Sequence, residues 1–235
     1  LDLSPRLDTV QRAMVDGILE TTFPGASWTW EWLSRGGGRV DRLSVWLGSL
    51  SSDSSNRCIR IGRKNIIASI EGEVSGAVES SFSSVMEIPR GAYLTIVDPV
   101  LIESGLQNSW HDRAVGSGTG SSWVRLVGRR PMLIHTDELS EDEQVRGFVI
   151  ATGKIVQHRL SAPELNTIDQ VASSVAKMGI SNITLRCSLD PDIYPTLQRR
   201  ITRELKGAEG SKGFLVDLDV QRPTGTQKVY VVCKE

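Results

Sequence analysis

Side chains suited to chemistry are few in this sequence, and their spacing is loose. His111 is followed directly by Asp112, and His135 stands two residues before Asp137; either pair could exchange protons with a substrate. None of the three histidines, His158 included, has a Cys or His partner at ligand spacing, so a structural zinc site is not expected. Asp217 and Asp219 alternate along one strand-like run and would share a side, as paired carboxylates for a divalent metal do. Val216, Leu218 and Val220 already mark the buried side, which places both aspartates in solvent.

Cys58 lies between Arg57 and Arg60, charges that could depress a thiol pKa, but its strand setting reads as a buried inert thiol. Gly116-Ser117-Gly118-Thr119-Gly120-Ser121-Ser122 could cradle a phosphate. It lacks the Gly-Lys-Ser/Thr ending of a nucleotide loop and leads into a strand, so it reads as a surface loop. No Gly-x-Ser-x-Gly elbow presents a serine nucleophile. The sequence therefore assigns no catalytic residue, no metal ligand and no cofactor.

Basic residues are more suggestive. Arg35 and Arg39 flank three glycines at a hairpin tip, with Arg42, Arg57, Arg60, Arg63 and Lys64 in the same β-rich region. Arg199, Arg203 and Lys206 recur at helical spacing opposite Leu197, Ile201 and Leu205, a face that could track phosphates. From residue 145 onward there are 13 basic and 9 acidic residues, a net of +4; the rest carries 14 and 19, a net of −5.

The elements that must position these residues fall into two rhythms. Ser4-Pro5 reads as the start of an amphipathic helix with Leu7, Val10, Met14, Ile18 and Leu19 on its inner stripe. From Trp28 to about Leu126 the pattern is mostly period two. Trp28, Trp30 and Trp32 share a face with Leu43, Val45 and Leu47 across the glycine hairpin, while Thr29 and Glu31 mark a wet face; short strands follow, among them Val85–Ile88 and Trp123–Val127. The tryptophans then form a core wall, and the basic tip between them stays open for function.

The acidic run 137–146 reads as a connector. Beyond it the expected order is strand, helix, strand, helix, strand, strand. Thr152-Gly153-Lys154 reads as a hairpin turn, Ser161-Ala162-Pro163-Glu164 as a capping box, and Arg222-Pro223-Thr224-Gly225 as the final turn. The expected fold class is α+β: a β-rich unit, sandwich or barrel-like with a leading helix (1–136), the connector, and a two-layer β-α-β-α-β-β module (147–235).

The stretch KMGISNITLRCSL followed by LQRRITREL, in that element order, resembles the C-terminal domain of bacterial translation initiation factor 3 and the Alba family. The resemblance covers residues 147–235 and implies a two-layer module contacting RNA or DNA, with Arg186 as the basic residue closing a strand. Alba proteins carry paired lysines in the loop after their first strand, where this chain reads His158-Arg159-Leu160-Ser161.

At 39% hydrophobic and 23% charged residues with a net charge of −1, the composition is that of a globular protein with no overall basic field. Apolar runs are too short for a membrane span. The polar, amphipathic start reads as no signal peptide, and the missing initiator Met as a fragment or processed chain. Cys58, Cys187 and Cys233 are odd in number and far apart, as expected of free thiols in a reducing compartment, cytoplasmic or nuclear.

The expectation is a non-catalytic binding or assembly protein touching RNA or DNA through Arg35, Arg39, Arg159, Arg186, Arg199, Arg203 and Lys206. Self-association, as in a viral matrix or capsid-like subunit, is one alternative; an enzyme using His/Asp acid–base chemistry is another.

Overall fold

The structure is a computed structural model that describes residues 1–74, 88–116, 120–125 and 130–235. Within them the chain is α+β, built on two mixed sheets. Most of Val85–Ile88, the end of Trp123–Val127 and the centre of the 116–120 glycine loop lie outside the described residues.

The first sheet has five strands: β1 (Asp2–Leu3), β2 (Trp28–Ser34), β3 (Arg42–Leu47), β4 (Asn56–Ile61) and β5 (Ile66–Gly72), ordered β1-β3-β2-β4-β5. The tryptophan hairpin forms as the alternation predicts, Trp30 opposite Val45 and Trp32 opposite Leu43, with both rings in the core. Its other face is not wet. Because β2 is an interior strand, neighbours cover Thr29 and Glu31 as well: the Thr29 hydroxyl donates to the Ser54 carbonyl at 2.8 Å, and Glu31 pairs with Arg57 at 2.7 Å.

The leading helix α1 (Thr9–Thr22) starts later than Ser4-Pro5, because Asp8 and Gln11 form the capping box there. Leu19 is buried and Val15 partly so. Val10, Met14 and Ile18, expected inside, face outward instead. Asp16 of α1 accepts the indole N–H of both Trp28 and Trp30 at 2.9 Å, tying the helix to the hairpin.

The second sheet has seven strands in the order β10-β11-β12-β9-β6-β8-β7. β6 (Tyr93–Val97), β7 (Ser121–Arg125) and β8 (Met132–His135) come before the acidic run. β9 (Val149–Leu160), β10 (Ile180–Leu185), β11 (Ser211–Arg222) and β12 (Gly225–Lys234) come after it. Strands from both sides of residues 137–146 thus share one hydrogen-bonded sheet through the β6–β9 pair. Thr152-Gly153-Lys154 makes no turn; β9 runs straight through it. Gly153 is required because a Cβ there would stand 2.7 Å from the Lys234 carbonyl oxygen of β12.

Short helices α2 (Val100–Glu103), α3 (Gln107–Val115) and α4 (Glu143–Arg146) fill the space between the sheets, where Trp30, Trp32, Leu101, Trp110, Trp123 and Phe148 share a core. Helices α5 (Ile168–Lys177) and α6 (Tyr194–Glu204) cover one face of β10–β12. α5 begins several residues after Pro163 of the expected capping box, since Glu164–Thr167 is a turn, and Asp190–Ile193 is likewise a turn before α6. Gly179 (φ 70°) stops α5 as expected. The β-α-β-α-β-β order of residues 149–234 is that of the sequence reading.

Interior β11 explains one correction. Phe214, Val216, Leu218 and Val220 fill one core and Leu215 the helix-covered other. Asp217, on the side of Leu215, is fully buried rather than in solvent; only Asp219 is exposed. Among the described residues no helix is long and apolar enough to cross a membrane.

Candidate functional site

A polar row crosses the edge of the second sheet. Tyr93 of β6 stands opposite His135 of β8, and His135 opposite Ser121 of β7. Directly opposed residues in an antiparallel pair point to the same face, so these three side chains line up. Two residues further in, Thr95, Leu133 and Trp123 form the next row and the floor.

Helix α3 lies over that floor. Trp110 is fully buried, packs on Trp123 at 6.1 Å and donates its indole N–H to the Val145 carbonyl at 3.1 Å. The next residue, His111, is thereby held at the rim, 2.7 Å from Nε2 to Ser121 Oγ, its ring 6.4 Å from Trp123. Its Nδ1 lies 3.5 Å from Asp112 Oδ1, at the limit of a hydrogen bond, and Asp112 is largely in water. His111 therefore sits on a helix and not in the loop its Ser- and Gly-rich surroundings suggest. Edge strand β7 leaves Ser121 partly exposed, so the pair opens to solvent.

A network assigns the tautomers. Ser121 can donate to His111 Nε2 if Nδ1 carries the ring proton, which then faces the Asp112 carboxylate. The arrangement can take a proton from a serine hydroxyl and return it to a leaving group.

His135, the other histidine read as acid–base, is spoken for. Nδ1 donates to the Asp137 carbonyl at 2.6 Å, Nε2 lies 2.8 Å from Thr95 Oγ1, and Thr152 Oγ1 continues the chain 2.7 Å further. Tyr93 stacks on the ring and donates to Glu138 at 2.9 Å. Burial lowers the His135 pKa and favours the neutral ring. Fully buried with both nitrogens engaged, it supports the row and does not meet a substrate.

Cys58 does not become a reactive thiol. Its neighbours' charges fail to reach it, and burial pushes its pKa up to about 12. Cys187 and Cys233 are free, buried and shifted upward by the same cause. Asp217 forms no metal site: its carboxylate accepts from Lys228 Nζ at 2.9 Å and the Ser188 backbone N–H at 2.8 Å. No cluster of metal-ligating side chains occurs among the described residues.

The proposed nucleic-acid residues occupy different parts of the fold. Arg35 and Arg39 belong to the loop between β2 and β3, where Asp41 pairs with Arg39 at 3.7 Å and caps the Arg35 N–H. Arg199, Arg203 and Lys206 share the exposed side of α6 and its end, as their spacing predicts. Arg186 is half-buried beside Arg130 at the end of β10; burial, then the Arg130 charge, disfavour its cation. Arg159 lies in β9. Four surface grooves, of about 470 to 860 Å³, are not lined by His111 or Ser121.

No known protein family and no curated protein matches the chain. A solved structure described as "putative methyltransferase from Porphyromonas gingivalis W83" matches over 99% of this chain and 50% of its own, at 15% identity and a TM-score of 0.49. The chain thus spans about half the length of that structure. The expectation of a non-catalytic RNA- or DNA-binding or assembly protein, viral matrix or capsid-like subunit included, is corrected by this match, which bears an enzyme's description. At that score the likeness carries no particular activity to this chain.

Proposed function

We propose that the chain is an enzyme whose chemistry is centred on Ser121 and His111, acting on an ester. The supporting observation is the 2.7 Å contact between Ser121 Oγ and His111 Nε2 at an open sheet edge. In this reading Ser121 Oγ bonds to the ester carbonyl carbon as its proton passes to His111 Nε2. The C–O bond to the alcohol breaks, and the leaving oxygen takes that proton. Water then attacks the acyl-serine, giving its proton to His111, and the freed Ser121 oxygen recovers it. Asp112 favours the Nδ1–H tautomer through its charge, and Trp123 buttresses the ring. Three buried free thiols accord with a reducing compartment.

A fluorophosphonate probe followed by peptide mapping tests the reading, with p-nitrophenyl ester turnover in parallel. Labelling at Ser121, lost together with turnover in Ser121→Ala and reduced roughly 10²–10⁴-fold in His111→Ala, is the expected result. Labelling elsewhere, or turnover indifferent to both substitutions, overturns it.

A further inference from the structure

A second feature, lined by neither Ser121 nor His111, has no part in that chemistry. β9 and β12 pair Leu160 with Tyr230 and His158 with Val231, so Arg159 is an extra residue on its strand, a bulge. Its φ is 81°, and it is the one non-glycine residue in the left-handed region among those described. Such a conformation is strained for any residue but glycine, and bulges of this kind re-aim a side chain. Here the bulge sets Arg159 beside Arg222, at the β11–β12 turn, and Lys228 of β12.

These three cations line a groove of about 470 Å³ with Leu160, Gln227 and Val229. The acids nearest Lys228 are Asp217, buried behind it at 2.9 Å, and Asp219, at 3.8 Å. Two guanidinium forks and one ammonium suit a multiply charged phosphate better than a single carboxylate. The volume fits a small molecule.

We infer that this groove binds a phosphate ester or diphosphate of a small molecule, with Arg159, Arg222 and Lys228 as its anion contacts. Pyrophosphate titrated into the full chain by calorimetry at low salt is the probe. Arg159→Gly is the informative variant, because glycine takes φ 81° without strain and the fold is kept. Binding by the unmodified chain, weakened roughly tenfold or more in Arg159→Gly and in Arg222→Gln at undiminished melting temperature, is expected. Arg199→Gln, on the outer side of α6, leaves binding unchanged. The inference is overturned by absence of pyrophosphate binding, by equal affinity in Arg159→Gly, by an equal loss in Arg199→Gln, or by oligonucleotide binding that pyrophosphate cannot displace.

Discussion

Arg60 of β4 places Nη1 2.7 Å from Oδ2 of Asp98, a carboxylate only 1% exposed, and so joins one sheet to the other. Asp98 directly follows β6, and its remaining capacity is filled by the Ser34 hydroxyl at 2.6 Å and the Val100 N–H at 3.1 Å. The guanidinium lies against Gly36, where a Cβ would collide with it and where φ is 81°. One ion pair thus fixes the glycine tip, β2 and the start of α2 together. Asp98→Ala leaves Arg60 largely buried without its counter-ion and should cost about 3–5 kcal/mol. Urea unfolding measures it; a loss under about 1 kcal/mol would show the pair to be no more than a surface contact.

Stability should fall on acidification through His135. Its folded pKa lies below 6.5, so the unfolded chain binds the proton more readily. The neutral ring's contribution is complete above about pH 6.5 and declines as pH drops from there to the folded value. His135→Gln should flatten that slope in melting temperature against pH; an unchanged slope would assign the titration to another group.

Asp217 adds a second, lower window. Burial alone would raise its pKa, but Lys228, the Ser188 N–H and Arg125 outweigh it and hold the carboxyl below its usual value. Its contribution is therefore present above about pH 3.9 and lost as pH falls below it. Asp217→Asn should remove this part of the acid transition and destabilise the chain at neutral pH. An acid midpoint unmoved by the substitution would exclude the assignment.

Two glycine-to-alanine substitutions should act in opposite directions. Gly17 lies within α1 with nothing within 4 Å of a new Cβ, so Gly17→Ala should stabilise by about 0.5–1 kcal/mol. Gly153→Ala meets the Lys234 carbonyl of the neighbouring strand and should destabilise by about 1–3 kcal/mol. Paired thermal melts decide both signs.

Legibility followed how local each feature is. The β11–β12 hairpin was readable because Pro223, Thr224 and Gly225 interrupt two alternating runs. Thr152-Gly153-Lys154 has the composition of a turn, yet β9 runs through it; the glycine serves a neighbour more than seventy residues away. Alternation points Asp217 to solvent because it marks one buried face and cannot say whether a helix covers the other. His111 and Ser121 meet across a helix, a loop and a strand, and no period in the sequence encodes that. The usable signals were their neighbours, Trp110 and Trp123, both destined for the core.

The place of β12 between β9 and β11 has a kinetic side. β9 must keep one hydrogen-bonding edge unsatisfied while α5, β10, α6 and β11 are synthesised, since its partner on that side emerges after all of them. An edge left open through so long a stretch invites pairing with another nascent chain. Folding during synthesis should thus lose yield as the density of nascent chains rises, with misassembly seeded at β9, even where the finished molecule is well behaved.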